Sequence, residues 1–340
     1  MSEEAARATA TLRAAPGRSR RRLRFWLEKP ELAAFIMLLV LIALFEWRSA
    51  GDFLSAGNLQ DVLGLLPESS LVAVGVGVLM VAGEFDLSVG STFAIMPMAT
   101  CVMADAGLPF WVAAAIGLLI CAAIGLVNGL ITISFAIPSF ITTLGMLYVV
   151  RSLTVVISGG FPPAFPAGAP ARMFAGLIGP LHASLFWFLA LAVLYGLVLQ
   201  YTNFGNWIYA TGGQIDAAQA LGIPTRKVKL LCFVICALFA GCAGFLQVMR
   251  LQSPLPSLGE GLELVAVAAS VIGGISLFGG VGSVLGAVVG AVLIGVIDNG
   301  LVLAAISANW FKFAIGGLTI VAVVANSWLT RTASRIKVDT

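Results

Sequence analysis

Apolar residues run along this chain in long unbroken stretches rather than alternating with polar ones. Ten stretches, near 31–47, 61–82, 88–104, 110–133, 139–157, 184–201, 229–249, 262–278, 283–304 and 308–327, each approach the roughly 17–25 residues a helix needs to cross a bilayer. Continuous apolarity predicts helices, because the strands of a membrane barrel alternate every second residue. The pattern therefore predicts an all-α polytopic membrane protein of about ten transmembrane helices. An even number of crossings puts both ends on one side of the membrane. The stretch 262–278 is the least regular of the ten.

Polar residues and glycines interrupt the pattern at a few places. "VAGEFDLSVGSTFA", residues 81–94, sets Glu84 and Asp86 between two apolar runs, with Gly83 and Gly90 on either side. A charge at the bilayer centre costs roughly 2.5–3.5 kcal/mol on insertion scales, so the position needs a reason. The glycines let the backbone leave a regular helix. Asp86 can cap the turn that restarts it, accepting from a backbone N–H near Ser88 or Val89. Freed backbone groups are tolerated in a membrane only where protein or a water-filled cavity satisfies them, so a broken or re-entrant segment here faces an interior. Two readings follow from the residues, and both stay open. Glu84, Asp86, Ser88 and Ser91 form a pathway element for a polar solute, or Asp86 merely caps a helix while Glu84 reaches the cytoplasmic interface.

"VIGGISLFGGVGSVLGAVVGA", residues 271–291, carries Gly273, Gly274, Gly279 and Gly280, which predict a second unwound connection. Gly282, Gly286 and Gly290 recur every four residues and bare one helix face for close packing. "LVNGLI" at 126–131 resembles "IDNGLV" at 297–302, and "GEFDLSVGS" echoes "GGISLFGGVGS" at 273–283. Such duplication is common in transporters built around a midplane path, and it adds Asn128 and Asn299 to the pathway candidates. In "ATGGQIDAAQALGIPTRKVKLLCF", residues 210–233, two turns of helix are predicted over 214–221. Gly222 ends them in a left-handed cap, and Pro224 prevents continuation. A short helix standing off the membrane either enters a groove on a partner or simply connects two spans.

Composition agrees with a membrane chain: 60% of the residues are hydrophobic and 10% charged, against about 25% charged in soluble domains. Eight of the 19 lysines and arginines fall in the first 30 residues, with a cluster at Arg18, Arg20, Arg21, Arg22 and Arg24. The positive-inside rule makes residues 1–30 a basic cytoplasmic tail. It also places inside the connection 202–228, with Arg226 and Lys227, and the tail 329–340, with Arg331, Arg335 and Lys337. Both termini are thus expected in the cytoplasm. A nucleic-acid arm or a twin-arginine export signal is set aside, since many spans follow and no small-residue cleavage site closes the first. The outer connection 158–183 has Arg172 as its only strong base, and its prolines and glycines prevent helix continuation. It folds over the outer mouth, meets a soluble partner, or is a plain loop. His182, the single histidine, reads as an interface residue rather than a proton relay.

The five cysteines read as small packing residues, with neither disulfides nor zinc expected. There is no phosphate-binding loop, nucleophile elbow or metal-ligand pair, so no catalytic residue, metal or resident cofactor is expected. Any nucleotide that powers the chain is bound by another one.

Three stretches, in this order, resemble the membrane permease subunit of bacterial ABC importers for ribose and other simple sugars. "GEFDLSVGS" resembles the family's Gly-Gly-Ile-Asp-Leu-Ser-Val-Gly-Ser. "NGLITISFAIPSFITTLG" at 128–145 is similar to its Asn-Gly…Ile-Pro-x-Phe-Ile-x-Thr-Leu-Gly. "GGQIDAAQALGI" at 212–223 resembles its cytoplasmic Gly-Asn-Asn-x-x-Ala-Ala-x-x-x-Gly-Ile. The resemblance implies a permease domain over 31–328 in a bacterial inner membrane. It implies a second permease chain, identical or homologous, and a cytoplasmic ATPase with two nucleotide sites that consumes ATP. A periplasmic sugar-binding protein would deliver the solute. Asp86, Ser88 and Ser91 would line the pathway, and Gln214, Ala217, Ala218 and Gly222 would couple to the ATPase. Glu84 departs from the family's glycine, Phe85 from its isoleucine and Gln214 from its asparagine. The alternatives are an ion- or proton-coupled secondary transporter using Glu68, Glu84, Asp86 and Asp298, or a permease for branched-chain amino acids or nucleosides.

Overall fold

A computed structural model describes residues 30–307, 310–322 and 324. The arginine cluster and both tails lie outside the described residues, as does part of the tenth stretch. In chain order the elements are α1 (Pro30–Arg48), α2 (Ala56–Val81), α3 (Val89–Asp105), α4 (Phe110–Phe135), α5 (Ser139–Ser158) and α6 (Ala171–Ala175). A two-residue antiparallel hairpin follows, β1 (Leu177–Ile178) with β2 (Leu181–His182). Then come α7 (Ala183–Tyr201), α8 (Asn203–Gly213), α9 (Ile215–Ala220), α10 (Thr225–Leu251), α11 (Leu262–Ile272) and α12 (Val284–Leu303). A last apolar helix, α13, spans Trp310–Ala322.

Six of these helices, α2, α4, α5, α7, α10 and α12, are long and apolar enough to cross a membrane. The stretch 262–278 is not one helix. It gives the eleven-residue α11, which ends at Ile272 and is capped by Gly273, followed by an irregular glycine-rich turn up to Ser283. The connection 202–228 is more ordered than the sequence reading held. It contains all of α8 and α9, and α10 already begins at Thr225.

α2 sits at the centre, with 83% of its apolar window buried, whereas only 17% of that of α5 is buried. Tyr148, Val149 and Val156 on α5 and Leu119 on α4 face outward, as side chains bathed in lipid do. Lipid supplies no hydrophobic drive between helices, so close packing of small residues has to hold the bundle. α10 shows how. Gly125 of α4 leaves room for the backbone of Phe233 and Val234, Gly241 for the Cys121 side chain, and Gly244 for the Phe93 carbonyl of α3. On α12, Gly286 and Gly290 take the backbone of α11 at Gly273 and Ala269, while Gly282 lies before the helix.

The segment before α7 is no plain loop. Phe174 of α6 lies 5.0 Å from the Phe245 ring and 5.5 Å from Trp187. Trp187 Nε1 donates to the Met173 carbonyl at 3.1 Å. His182 is half-buried, its Nδ1 lies 3.1 Å from the Ala175 carbonyl, and its ring fills the space left by Gly64. This connection is folded down onto the bundle.

Candidate functional site

α2 ends at Val81 and α3 starts at Val89, leaving a non-helical break between two buried helices. Side chains meet several of its polar groups. Asp86 is fully buried and accepts, through Oδ1, the Ser88 N–H at 2.8 Å and the Ser88 hydroxyl at 2.6 Å. Asn128 of α4 donates to Asp86 Oδ2 at 3.3 Å and to Ser88 Oγ at 2.9 Å. Aiming its N–H groups there leaves the Asn128 amide oxygen with no partner among the described residues. Ser91 Oγ donates to the Ser88 carbonyl at 2.8 Å. From α5, Ser139 Oγ accepts the Phe85 N–H and Thr143 Oγ1 the Leu87 N–H, both at 3.0 Å. The first two family-like stretches thus fold onto one another: the hydroxyls and amide of 128–145 satisfy the backbone and carboxylate of the break.

Asp86, Ser88, Ser91 and Asn128 are all fully buried, and they line neither cavity described below. Asn299 is elsewhere. It exchanges amide hydrogen bonds with Asn58, at 3.0 and 2.8 Å, near the far end of α2. Glu84 does not join the Asp86 cluster either. It makes an ion pair of 2.5 Å with Lys229 at the start of α10. That pair borders a pocket of about 390 Å³ shared with Ile215 and Gln219 of α9.

The glycines divide by role. Gly83, at φ +85°, lies in the first break, and Gly274, Gly279 and Gly280, also at positive φ, lie in the turn after α11, with Gly273 capping that helix. Gly90 is a correction: it sits in the first turn of α3, not in the break. What requires glycine there is a close approach, because a side chain would run into the Gly259 carbonyl and the Glu263 carboxylate.

The predicted coupling helix is α9, shorter than expected. Gln214 is a correction too. It forms the extended corner between α8 and α9, at φ −155° and ψ 96°, outside either helix. Ala217 is exposed and Ala218 buried. Gly222, at φ +80°, donates to the Gln219 carbonyl at 2.9 Å, and Ile223 donates to Ala218 at 3.0 Å. These two bonds make a Schellman cap.

Three features escaped the sequence reading. Arg151 of α5 donates to the carbonyls of Pro256 and Leu258, both at 2.7 Å, and of Gly90 at 3.0 Å, tying the non-helical connection 252–261 to α3. Arg250 grips Glu68 through two bonds of 2.8 and 2.9 Å. A cleft of about 990 Å³ opens between α2, α11, α12 and α13, with Glu68, Gln247, Glu260, Asp298 and Asn299 on its walls. An arginine inside an apolar run was the available clue to the first two, since intramembrane charges are rarely without purpose.

Comparison with known proteins bears on this architecture. A family profile described as "Branched-chain amino acid transport system / permease component" matches residues 58–323. The chain is 33% identical over 301 residues to the ribose import permease protein of Escherichia coli (strain K12), covering 87% of this chain and 94% of that protein. It is 32% identical over 306 residues to the xylose/arabinose import permease protein of Sulfolobus acidocaldarius, covering 88% and 85%. It is 35% identical over 294 residues to the autoinducer 2 import system permease protein of Salmonella paratyphi B, covering 84% and 83%. No solved structure matches it. With a profile match over residues 58–323 and relatives a third identical along most of their length, this multi-pass membrane protein belongs to the branched-chain amino acid transport system permease family.

Proposed function

We propose that the chain is the permease subunit of an ATP-driven importer in a bacterial inner membrane and forms the path for a simple sugar or related polyol. It works with a cytoplasmic ATPase carrying two nucleotide sites, a periplasmic binding protein and a second permease chain. The names of the relatives, which import ribose and xylose/arabinose, favour a sugar over a branched-chain amino acid. In this reading α1, α3, α11 and α13 join the six long helices to make ten crossings. Both termini and α9 lie in the cytoplasm, and 158–183 lies outside.

The observation that carries the reading is α9 itself. It is an exposed helix held in fixed shape by the Gly222 cap, standing beside the broken end of α2 and suited to a groove on a partner. For the solute's route we favour the 990 Å³ cleft, where Gln247, Asp298 and Asn299 offer groups that hydrogen-bond hydroxyls. The Asp86 cluster then shapes the break instead of touching solute. Ion coupling through Glu68, Glu84 and Asp86 is disfavoured because Glu68 and Glu84 are each ion-paired and Asp86 is enclosed by donors.

The test is a gentle-detergent pull-down of the chain from its native membrane, with partners identified by mass spectrometry. Recovery of an ATPase with two nucleotide sites is expected. A folded, pure permease that repeatedly comes down without one would overturn the proposal.

A further inference from the structure

Three turns meet at one place in the fold, backbone against backbone. The first is the start of the break, 81–83. The second is the last turn of α8 at Gly212, followed by Gly213 and the Gln214 corner that leads into α9. The third is the turn after α11, at Gly279 and Gly280. Gly280 donates its N–H to the Val81 carbonyl at 2.8 Å, which joins the two unwound turns to each other. Gly212 is wedged between them, and a Cβ on it would collide with the Val81 carbonyl and lie 2.8 Å from Gly280 N. A Cβ on Gly279 would lie 2.7 Å from the Gly212 oxygen and 2.9 Å from Gly83 Cα. Tyr209, one turn back on α8, donates its hydroxyl to the Gly282 carbonyl at 2.8 Å, a second tie to the same turn.

We propose that Gly212 is the positioning residue through which movement of α9 reaches both unwound turns, and hence α2 and α12 at once. The inference rests on the docking reading of α9 given above and adds the route by which docking is felt. Backbones in direct contact leave no flexible side chain to absorb a displacement, so a shift at the α8–α9 corner moves both turns together. The Glu84–Lys229 pair, from the start of α10, reaches only the first turn. A chain of contacts is evidence of coupling only when a change in it alters the response at the far end, and that is what the experiment reads.

The test uses the whole complex with its ATPase, reconstituted in liposomes. A single cysteine is placed at exposed cleft positions, Leu65→Cys on α2 or Val302→Cys on α12. Labelling by a small maleimide is measured without nucleotide and after trapping with ATP and vanadate, and the parent without an added cysteine supplies the background. In the single-cysteine parent, otherwise unchanged, trapping is expected to change the labelling rate at both positions. Gly212→Ala should keep the ATPase bound and hydrolysing while that change is lost at both positions. Gly213→Ala is the matched control, because its Cβ would meet only Gly280 Cα at an ordinary 3.7 Å, and it should respond like the parent. Tyr209→Phe adds no atoms and serves if Gly212→Ala does not fold. Losing its one hydrogen bond should reduce the response about threefold or more. A parent-like response from Gly212→Ala, or from Tyr209→Phe where the alanine variant does not fold, would overturn the inference while leaving the permease assignment intact. So would a parent that hydrolyses ATP with no change in labelling. Absence of any ATPase from the parent complex would instead remove the docking reading, and this route with it.

Discussion

Asp86 and Glu84 stand two residues apart, and their surroundings give them different work. Every group around Asp86 is a donor: the Ser88 N–H and hydroxyl and the Asn128 amide. Asp86→Asn would turn an N–H group toward one of those donors in a fully buried site, and an unmet buried group costs about 1–3 kcal/mol. Uptake in whole cells should therefore fall about tenfold or more, since 1.4 kcal/mol is tenfold in an equilibrium. Glu84→Gln keeps the size of the side chain and loses one ion pair at a partly solvated edge, so its effect should be smaller. The opposite order, at equal membrane levels, would mean that Glu84 and not Asp86 fixes the break. Glu68 and Arg250 pose a related question. Removing one partner of a buried pair costs roughly 3–5 kcal/mol because the other charge is left alone, whereas replacing both is often nearly neutral. Arg250→Met should thus lower the thermal midpoint in detergent more than the double variant Glu68→Gln/Arg250→Met does. If the double variant proves the less stable, the pair contributes more than mutual neutralisation.

At the scale of elements, the α9 cap carries the next prediction. A non-glycine residue at φ +80° bears a left-handed strain of roughly 1–2 kcal/mol, larger for a branched side chain. A Cβ at Gly222 meets nothing within 4 Å, so the strain is purely local. Gly222→Val should leave the chain in the membrane at normal levels and cut co-purification of the ATPase severalfold. Unchanged recovery would take α9 out of the docking surface. The Gly222 cap was legible in the sequence because only glycine suits that backbone and Pro224 bars continuation. α8 was not legible, because its eleven residues are too few to cross a membrane and end in Gly212–Gly213, which reads as loop. Its helix depends on Thr202, whose hydroxyl accepts the Gly205 N–H at 3.2 Å, and on docking against the glycine turns. Gly90 misled for a related reason: a glycine needed for a close approach looks the same in sequence as one needed for a turn.

At the scale of the whole molecule, the apolar pattern located eight of its ten stretches on helices closely matching those described, and the described part of 308–327 is the helix α13. The exception, 262–278, failed because apolar side chains continue through a turn whose shape is set by tertiary contact. Which residues meet across the bundle was harder to see. Asp86 with Asn128, and Glu68 with Arg250, are separated by 42 and 182 positions, and only packing brings them together. Orientation is the property on which the rest of the functional reading turns, and it can be measured directly. Phe161, in the connection before α6, is 77% exposed, and Leu221, at the end of α9, is 81% exposed. In intact spheroplasts a membrane-impermeant maleimide should label Phe161→Cys quickly and Leu221→Cys only after the membrane is opened. The native cysteines give little background, since four are buried and Cys242 is half-buried. Labelling at both positions from outside would require an even number of crossings between them, contrary to the single span α7 that separates the two on the present reading. α9 would then face the periplasm, out of reach of any ATP-consuming partner. Labelling at Phe161 alone would put α9 and the glycine turns behind it on the side where ATP is hydrolysed.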